Sequence, residues 1–540
     1  MLTLSLNQIT TIAPGVFSEL SQLDLLQLNG NMISEIHPGA FQGLGSLKQL
    51  YLRSNNLSVL TRGSLDGLDQ LQILSFTNNC MRLAPEEAMG HLKALKNLYL
   101  NNNQISVLPE FLSTFEDLTL LDISSNGLRN LSADALLNLT KLRRLDLSLN
   151  NLTSLPPQAF QRLENLTLLN LFNNGIESLP AGVFANLLSL KELHLDNNRI
   201  LSLPPEIFQG QSGLRELQLD NNLLNQLPEG VFNGMSRLRT LYLDNNRLEG
   251  IPKKVFHGLG HLRELQLDEN NITSLPRRVF TGLKNLRVLQ LSQNRISHLP
   301  HDVFVGLANL KELQLNGNNL SAIPQGVFRE LKKLKELHLD SNHLSTVQTA
   351  LFRDLRKLEV LQLQFNRLLS LPPRVFSPLQ KLQKLLLHNN RLPTLDPNIF
   401  ASQYNLQELH LDRNNLSFLP DSLFQSVPRL TLLHLGHNRL RQLSAGLLGP
   451  LRKLEQVHLE GNPWECDCPS IVYLRDWLQE NLSIVPEPVE CSSNRSSVAV
   501  VKDFSSVPPY CSSAVRLSPP FLPTLLLSTS SLLCLRLPSS

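Results

Sequence analysis

The chain carries almost no net charge: 49 lysines and arginines stand against 46 aspartates and glutamates, a balance of +3 over 540 residues. That near-neutrality excludes a globally basic nucleic-acid binder and an acidic tail protein. Catalytic signatures are absent too. No H-E-x-x-H, G-x-S-x-G, P-loop or G-x-G-x-x-G pattern occurs, so nothing points to metalloprotease, esterase, nucleotide or dinucleotide chemistry. A long unbroken apolar run is missing as well. The best stretch, Leu517–Leu535, is interrupted by Pro519, Pro520 and Pro523, which argues against a membrane-spanning helix. Cysteines number six, tyrosines six and tryptophans two, whereas 32 prolines are many for a helical protein. Leucine is what the chain has in excess, and an excess of one residue calls first for a search for repeats.

The frame L-x-x-L-x-L-x-x-N-x-L-x-x-L recurs down nearly the whole chain. Its asparagines run from Asn7, Asn31 and Asn55 through Asn198, Asn222 and Asn246 to Asn438 and Asn462, twenty in all, spaced 24 residues apart except for the 23-residue step from Asn103 to Asn126. Ten residues after most of them stands a phenylalanine, as at Phe160, Phe184, Phe208 and Phe232; Leu65, Met89 and Leu136 take that place in three repeats. Each L-x-L segment is expected to be a short strand with leucines inside and the alternate residues outside. No repeat can bury its leucines alone, so neighbours must stack into one elongated solenoid. The asparagine amide offers donors and an acceptor to backbone groups where strand gives way to turn, which makes it structural. Prolines such as Pro228, Pro252 and Pro276 suit an extended, non-helical outer side.

This pattern resembles the leucine-rich repeat family over residues 1–511. The fold class expected is α/β: a leucine-rich repeat solenoid, a curved horseshoe of about 20 repeats with a parallel sheet on its concave face. After Asn462 the sequence reads Pro463, Trp464, Glu465, Cys466, Asp467, Cys468, followed by Leu474, Trp477, Leu478, Cys491 and Cys511, similar to the C-terminal flanking cap of extracellular members. That resemblance implies the disulfides Cys466–Cys491 and Cys468–Cys511, and with them an oxidising compartment. A zinc site is the competing account of four cysteines, but C-x-C without a paired C-x-x-C suits it poorly. Cys80 and Cys534 have no partner suggested by spacing. The expected organisation is a solenoid over 1–462, a cysteine-rich cap over 463–511 and a tail over 512–540. Leu2 and Leu4 already act as strand leucines, so the sequence is read as lacking its true start, signal peptide and N-terminal cap. The small residues Ser512–Ala514 before the apolar tail also fit a lipid-anchor signal.

N-x-S/T acceptors for glycosylation fall at Asn56, Asn130, Asn138, Asn151, Asn165, Asn271, Asn319, Asn415, Asn481 and Asn494. Five of them, Asn56, Asn151, Asn271, Asn319 and Asn415, directly follow a frame asparagine. N-N-L-S/T is also simply a favoured spelling of the repeat. Together with the cap, these sites point to a secreted or surface glycoprotein.

The outward strand positions carry the candidate binding surface. From Asn198 to Asn342 they include Glu192, Asp196, Glu216, Asp220, Asp244, Glu264, Asp268, Glu269, Glu312, Glu336 and Asp340, and no lysine or arginine. A basic column, Lys191, Arg215, Arg239, Arg263, Arg287, Lys311 and Lys335, runs just before each strand. Either the two columns pair laterally, each pair contributing about 0–1 kcal/mol, or the acids form a stripe that steers a basic partner. Tyr51, Tyr99, Phe172, Tyr242 and Phe365 are candidate anchors for a protein ligand, and twenty strands give an arc of roughly 90 Å, far beyond a small molecule. His410, His434 and His458 share one outward position on consecutive strands, with His388, Glu408, Asp412, His437 and Glu460 nearby. Stacked imidazoles converge poorly on one ion, so partner contact or plain solvation is expected there, and no metal or cofactor. The sequence thus predicts a non-catalytic extracellular scaffold that binds a protein partner carrying basic residues, on its concave face. A carrier or stabilising subunit of a secreted enzyme is one form of it; a cell-surface adhesion or pattern-recognition receptor ectodomain is the alternative. No nucleic acid is expected, and membrane association only if the tail is an anchor signal.

Overall fold

A computed structural model describes residues 1–82, 86–465 and 471–491. Cys466, Cys468, Cys511, Cys534, Asn494 and the tail 512–540 lie outside the described residues, and so do both expected disulfides as complete pairs. Every repeat contributes one short strand, from Leu2–Thr3 and Leu25–Gln27 through Glu216–Gln218 and Thr240–Tyr242 to Gln456–His458, and all twenty join in one parallel sheet. The register follows the sequence period. Leu217 pairs with Leu241 and Leu241 with Leu265, each 24 residues on, and Leu98 pairs with Leu121 across the single 23-residue step. In most strands, as in Glu216–Gln218 and Thr240–Tyr242, the middle leucine is buried between two partly exposed neighbours, the alternation that period-2 geometry demands. The missing residue of the short repeat is absorbed away from the sheet, where a 3-10 turn over Glu110–Thr114 replaces the usual turns: Leu112 takes the phenylalanine position, and Phe115, packed edge-on to Phe111, takes that of the leucine that follows.

One leucine interior runs the length of the array. Behind it the phenylalanines form a stack, Phe160 on Phe184 at 6.3 Å, Phe184 on Phe208 at 6.4 Å and Phe232 on Phe256 at 6.5 Å between centroids, with planes within 10° of parallel. Neighbouring strands lie only about 4.8 Å apart. Each coil is therefore a wedge, narrow at the sheet and wide at the phenylalanines, and stacked wedges curve with the sheet on the concave side. The outer side is built from tight turns more than extended chain: Pro228, Pro252 and Pro276 lend their carbonyls to the amides of Val231, Val255 and Val279 three residues on. Each proline takes the first position of its turn, where only its carbonyl is used and its missing N–H costs nothing. Helix is confined to Glu86–Met89, Ile471–Glu480 and three short 3-10 turns among the described residues.

The asparagines hold coil to coil. The Asn246 amide donates to Leu243 O and Asp244 O in its own turn and to Leu219 O in the preceding coil, at 3.2, 3.1 and 2.9 Å, while its Oδ1 accepts the Leu224 amide at 3.0 Å. The pattern repeats from Asn31 to Asn462. The residue before each of these asparagines sits in the left-handed region, as at Asn197, Asn221 and Asn245 (φ 54°, 52° and 48°), which explains the N-N spelling, because asparagine tolerates that region better than other side-chain-bearing residues. Phe365 (φ 53°) and Arg413 (φ 52°) occupy it against that preference.

At the C-terminal end Trp464 is fully buried, donating from Nε1 to Leu459 O at 3.1 Å, and forms a β-bridge with Cys491. Leu474 and Leu478 of the helix, with Val485 and Val489, continue the core beyond the last strand, closing it as a cap must. We expect Asn246→Ala to cost about 1–3 kcal/mol, because four backbone groups lose a partner, whereas Asn7→Ala, at an exposed residue bonded only to Leu4 O and Ser5 O of its own turn, costs less. Urea unfolding of the two variants against the parent chain measures the difference.

Candidate functional site on the strand face

The strand face is a set of columns, because the 24-residue register places equivalent side chains side by side. Three of the glutamates that open the strands, Glu216, Glu264 and Glu312, are held within their own strand. Gln218 Nε2 donates to Glu216 Oε1 at 2.7 Å, Gln266 Nε2 to Glu264 Oε1 at 2.7 Å and Gln314 Nε2 to Glu312 Oε1 at 2.6 Å. Lateral pairing with the basic column is not the arrangement: among the described residues only Lys335 of that column forms an ion pair, with Glu359 at 2.8 Å. These glutamines were not singled out in the sequence, although the E-L-Q spelling at Glu216, Glu264 and Glu312 is legible there; Glu192 and Glu336 have histidine in that place.

The aspartates lie two residues before the ladder asparagines, and the structure places them deeper than an outward, solvated stripe. Asp196 is only 7% exposed, and Asp220, Asp244, Asp268 and Asp340 are half-buried. Their partners are few and local, Asn197 Nδ2 on Asp196 Oδ2 at 3.2 Å, Asn221 Nδ2 on Asp220 Oδ2 at 2.7 Å and Ser341 Oγ on Asp340 Oδ2 at 3.2 Å. One carboxylate oxygen of each of Asp196, Asp244, Asp268 and Asp340 is shielded and has no hydrogen-bond partner. Burial raises the pKa of all five carboxyls, and that of Asp244, crowded by Asp220 and Asp268, climbs to about 7. Tyr242 ends its strand two residues before Asp244. Burial first, then Glu264, Glu216, Asp220 and Asp244, push its phenol up to about 12, so it remains an O–H donor. The column is thus a set of poorly solvated acceptors whose charge at neutral pH is held below its formal count.

Farther along, the expected histidine column is a true ring stack. His410 and His434 lie 4.1 Å apart and His434 and His458 4.0 Å, with planes 11° and 10° from parallel. Burial and the rings on either side drive the His434 pKa down to about 3. His388 departs from the stack, tilted 47° from His410 at 5.5 Å and meeting Phe365 edge-on at 5.4 Å. Phe365 is 53% exposed. An exposed aromatic ring on this face is a candidate contact for a partner. The glycosylation acceptors Asn56, Asn130, Asn138, Asn151, Asn165 and Asn319 are exposed, and Asn271, Asn415 and Asn481 half-exposed; the side-chain amides of Asn165 and Asn481 donate to Thr140 O and Trp477 O at 2.8 Å each. Cys80 is a free thiol, 3.5 Å from Asn56 Oδ1.

Comparison with known proteins fits this geometry. The model of the leucine-rich repeat family matches residues 1–105, 116–402 and 404–463 in overlapping segments. No curated protein matches. Among solved structures, a leucine-rich repeat protein of Leptospira interrogans is 34% identical, with a TM-score of 0.60 over 71% of this chain and 94% of that one. The Toll–Spätzle complex of Drosophila is similar at 22% identity and TM-score 0.67, over 92% of this chain and 84% of that one. A plant peptide hormone receptor, RGFR1 in complex with RGF2, is similar at 22% identity and TM-score 0.56, over 90% and 93%. The last two likenesses concern the fold. Among the described residues no helix is long and apolar enough to cross a membrane.

The raised pKa of Asp244 sets a pH dependence whose sign is fixed. The folded carboxyl titrates near 7 and the free one near 3.8, so the folded state favours the proton and loses stability as pH climbs between those values. Asp244→Asn, which removes the charge, should therefore raise Tm at pH 8, and the gain should shrink towards nothing as pH falls to 4. Thermal melts across that range check it.

Proposed function

The chain belongs to the leucine-rich repeat family, and on that premise we propose that it is a non-catalytic extracellular scaffold that grips a protein partner on its strand face. The observation that carries this is the aspartate column. Five carboxyls in register along the sheet are drawn from water, and four of them have a shielded oxygen unpaired. Arginine or lysine from a partner would supply the missing donors and restore full ionisation, so binding would recover what burial costs. Tyr242 offers a phenol donor and ring at the centre of the column, and Phe365 an exposed ring farther along. Anchors of this type dominate protein interfaces. The face spans all twenty strands, a scale suited to a protein.

A carrier or stabilising subunit of a secreted enzyme is the finer form of this reading. It draws on the L-P-x-x-V-F-x-x-L spelling and the N-P-W-x-C-D-C segment, which look similar to those of the large non-catalytic subunit of carboxypeptidase N; platelet glycoprotein V, the acid-labile subunit of the insulin-like growth factor complex and leucine-rich repeat-containing protein fifteen share them closely. The pairings Cys466–Cys491 and Cys468–Cys511 and glycans on the exposed acceptors belong to the same proposal, supported by the buried Trp464 and its bridge to Cys491. A receptor ectodomain is the second reading. It is favoured by the likeness in fold to Toll, solved with Spätzle, and to a plant receptor solved with RGF2.

The test is charge reversal. Partners captured from plasma and from cell-surface extract with the full-length chain are identified, then titrated against the parent and an Asp220→Lys/Asp268→Lys double variant. Binding should weaken at least tenfold and lose much of its salt dependence, because like charges across an interface cost several kcal/mol. Unchanged affinity and salt dependence would retire the proposal.

A further inference from the structure

We propose that His388, His410 and Asp412 form a binding site for a divalent transition-metal ion of the zinc class. The three residues come from two neighbouring coils. His388 and Asp412 occupy the column that holds the aspartates elsewhere, and His410 shares a strand with Glu408, two residues before Asp412. One ring nitrogen of each histidine and one carboxylate oxygen all lie within 4.8 Å of one another, and among the described residues no other group of three metal-ligating side chains does so.

Two features make the group more than a cluster. His388 Nδ1 and Asp412 Oδ1 are both shielded from solvent without any hydrogen-bond partner, and buried unsatisfied polar atoms call for an unplaced water or ion. The third ligand is prepared by a neighbour. His410 Nε2 lies 2.7 Å from Glu408 Oε1; a carboxylate accepts, so this nitrogen carries the proton and Nδ1 is left with a free lone pair. A carboxylate orienting a ligating imidazole is the usual outer shell of a zinc site. The tilt of His388 matters here. Parallel stacking from His410 to His458 leaves no common point for an ion, whereas the 47° break between His388 and His410 opens one.

The charges nearby are accounted for. Burial holds His388 and His410 below their ordinary pKa. Lys384 is occupied by Glu408 at 2.9 Å, and Arg413, which acts on His388, is offset by Asp412. Two imidazoles and one carboxylate are a borderline donor set that suits zinc and its neighbours and leaves a position open to water or to a further ligand. The site does not depend on the proposed partner binding.

The experiment is calorimetric titration of Zn²⁺ into the full-length, untagged chain after treatment with a chelator. It should bind one equivalent at this site. His388→Ala and His410→Ala should each weaken that binding at least tenfold, and Glu408→Gln 10- to 100-fold. His434→Ala and His458→Ala, in the stack but not in the group, should leave it unchanged. Should a histidine variant fail to fold, Asp412→Asn and the absorption spectrum of the Co²⁺-loaded parent serve instead: nitrogen and oxygen ligands give no thiolate charge-transfer band. Absence of binding, binding that survives His388→Ala with His410→Ala, or a thiolate band would overturn the proposal.

Discussion

The side-chain amide of the repeated asparagine is the constraint on which the rest of this structure depends. Leucine burial alone would stack the coils but would not fix their rotation about the solenoid axis, since apolar contact is non-directional. The amide does fix it. By bonding at once to its own turn and to the carbonyl three residues from the preceding ladder asparagine, as Asn246 does to Leu243 O and Leu219 O, it ties each coil to the last in a single register. Columns on the strand face are a consequence of that register, and the chemistry of the face consists of columns.

From this follows the division between the two stretches of the face. Where the column residue is aspartate, like charges repeat along neighbouring strands under a depleted water layer, and carboxyls such as Asp244 resist ionisation. Where the strand residue is histidine, repetition produces a stack of near-parallel rings. Both outcomes come from placing one residue type many times in one environment. A single aspartate on an isolated strand would be solvated and ordinary. The departure from repetition is His388, tilted out of the stack and meeting the exposed ring of Phe365 edge-on.

The fold was nearly all legible in the sequence, because a 24-residue period states the strand, the turn and the register at once. The ring stack could be inferred from His410, His434 and His458 alone. The depth of the aspartates could not. Period 2 places Asp196 outward, but the turn that follows folds back over it, and only coordinates show Asn197 above its carboxylate. Lateral pairing and a free acidic stripe are equally legible for the glutamates in sequence; the coil geometry decides for a glutamine two positions later, which shares the face. Prolines of the outer side start turns, each accepting at its own carbonyl, a role for which the missing N–H is no handicap. Ligand convergence at His388 depends on a ring tilt, which no sequence pattern encodes.

Hydrogen–deuterium exchange of the full-length chain tests the ladder most directly. The amides of Ile200, Leu224, Leu248 and Ile272 donate to the asparagine of the next coil and lie outside the strands, so protection there reports the side-chain bonds and not the sheet. The account predicts exchange as slow as that of the strand leucines Leu217, Leu241 and Leu265. Exchange at the rate of the exposed outer turns would show that the asparagines do not hold the coils, and would contradict it.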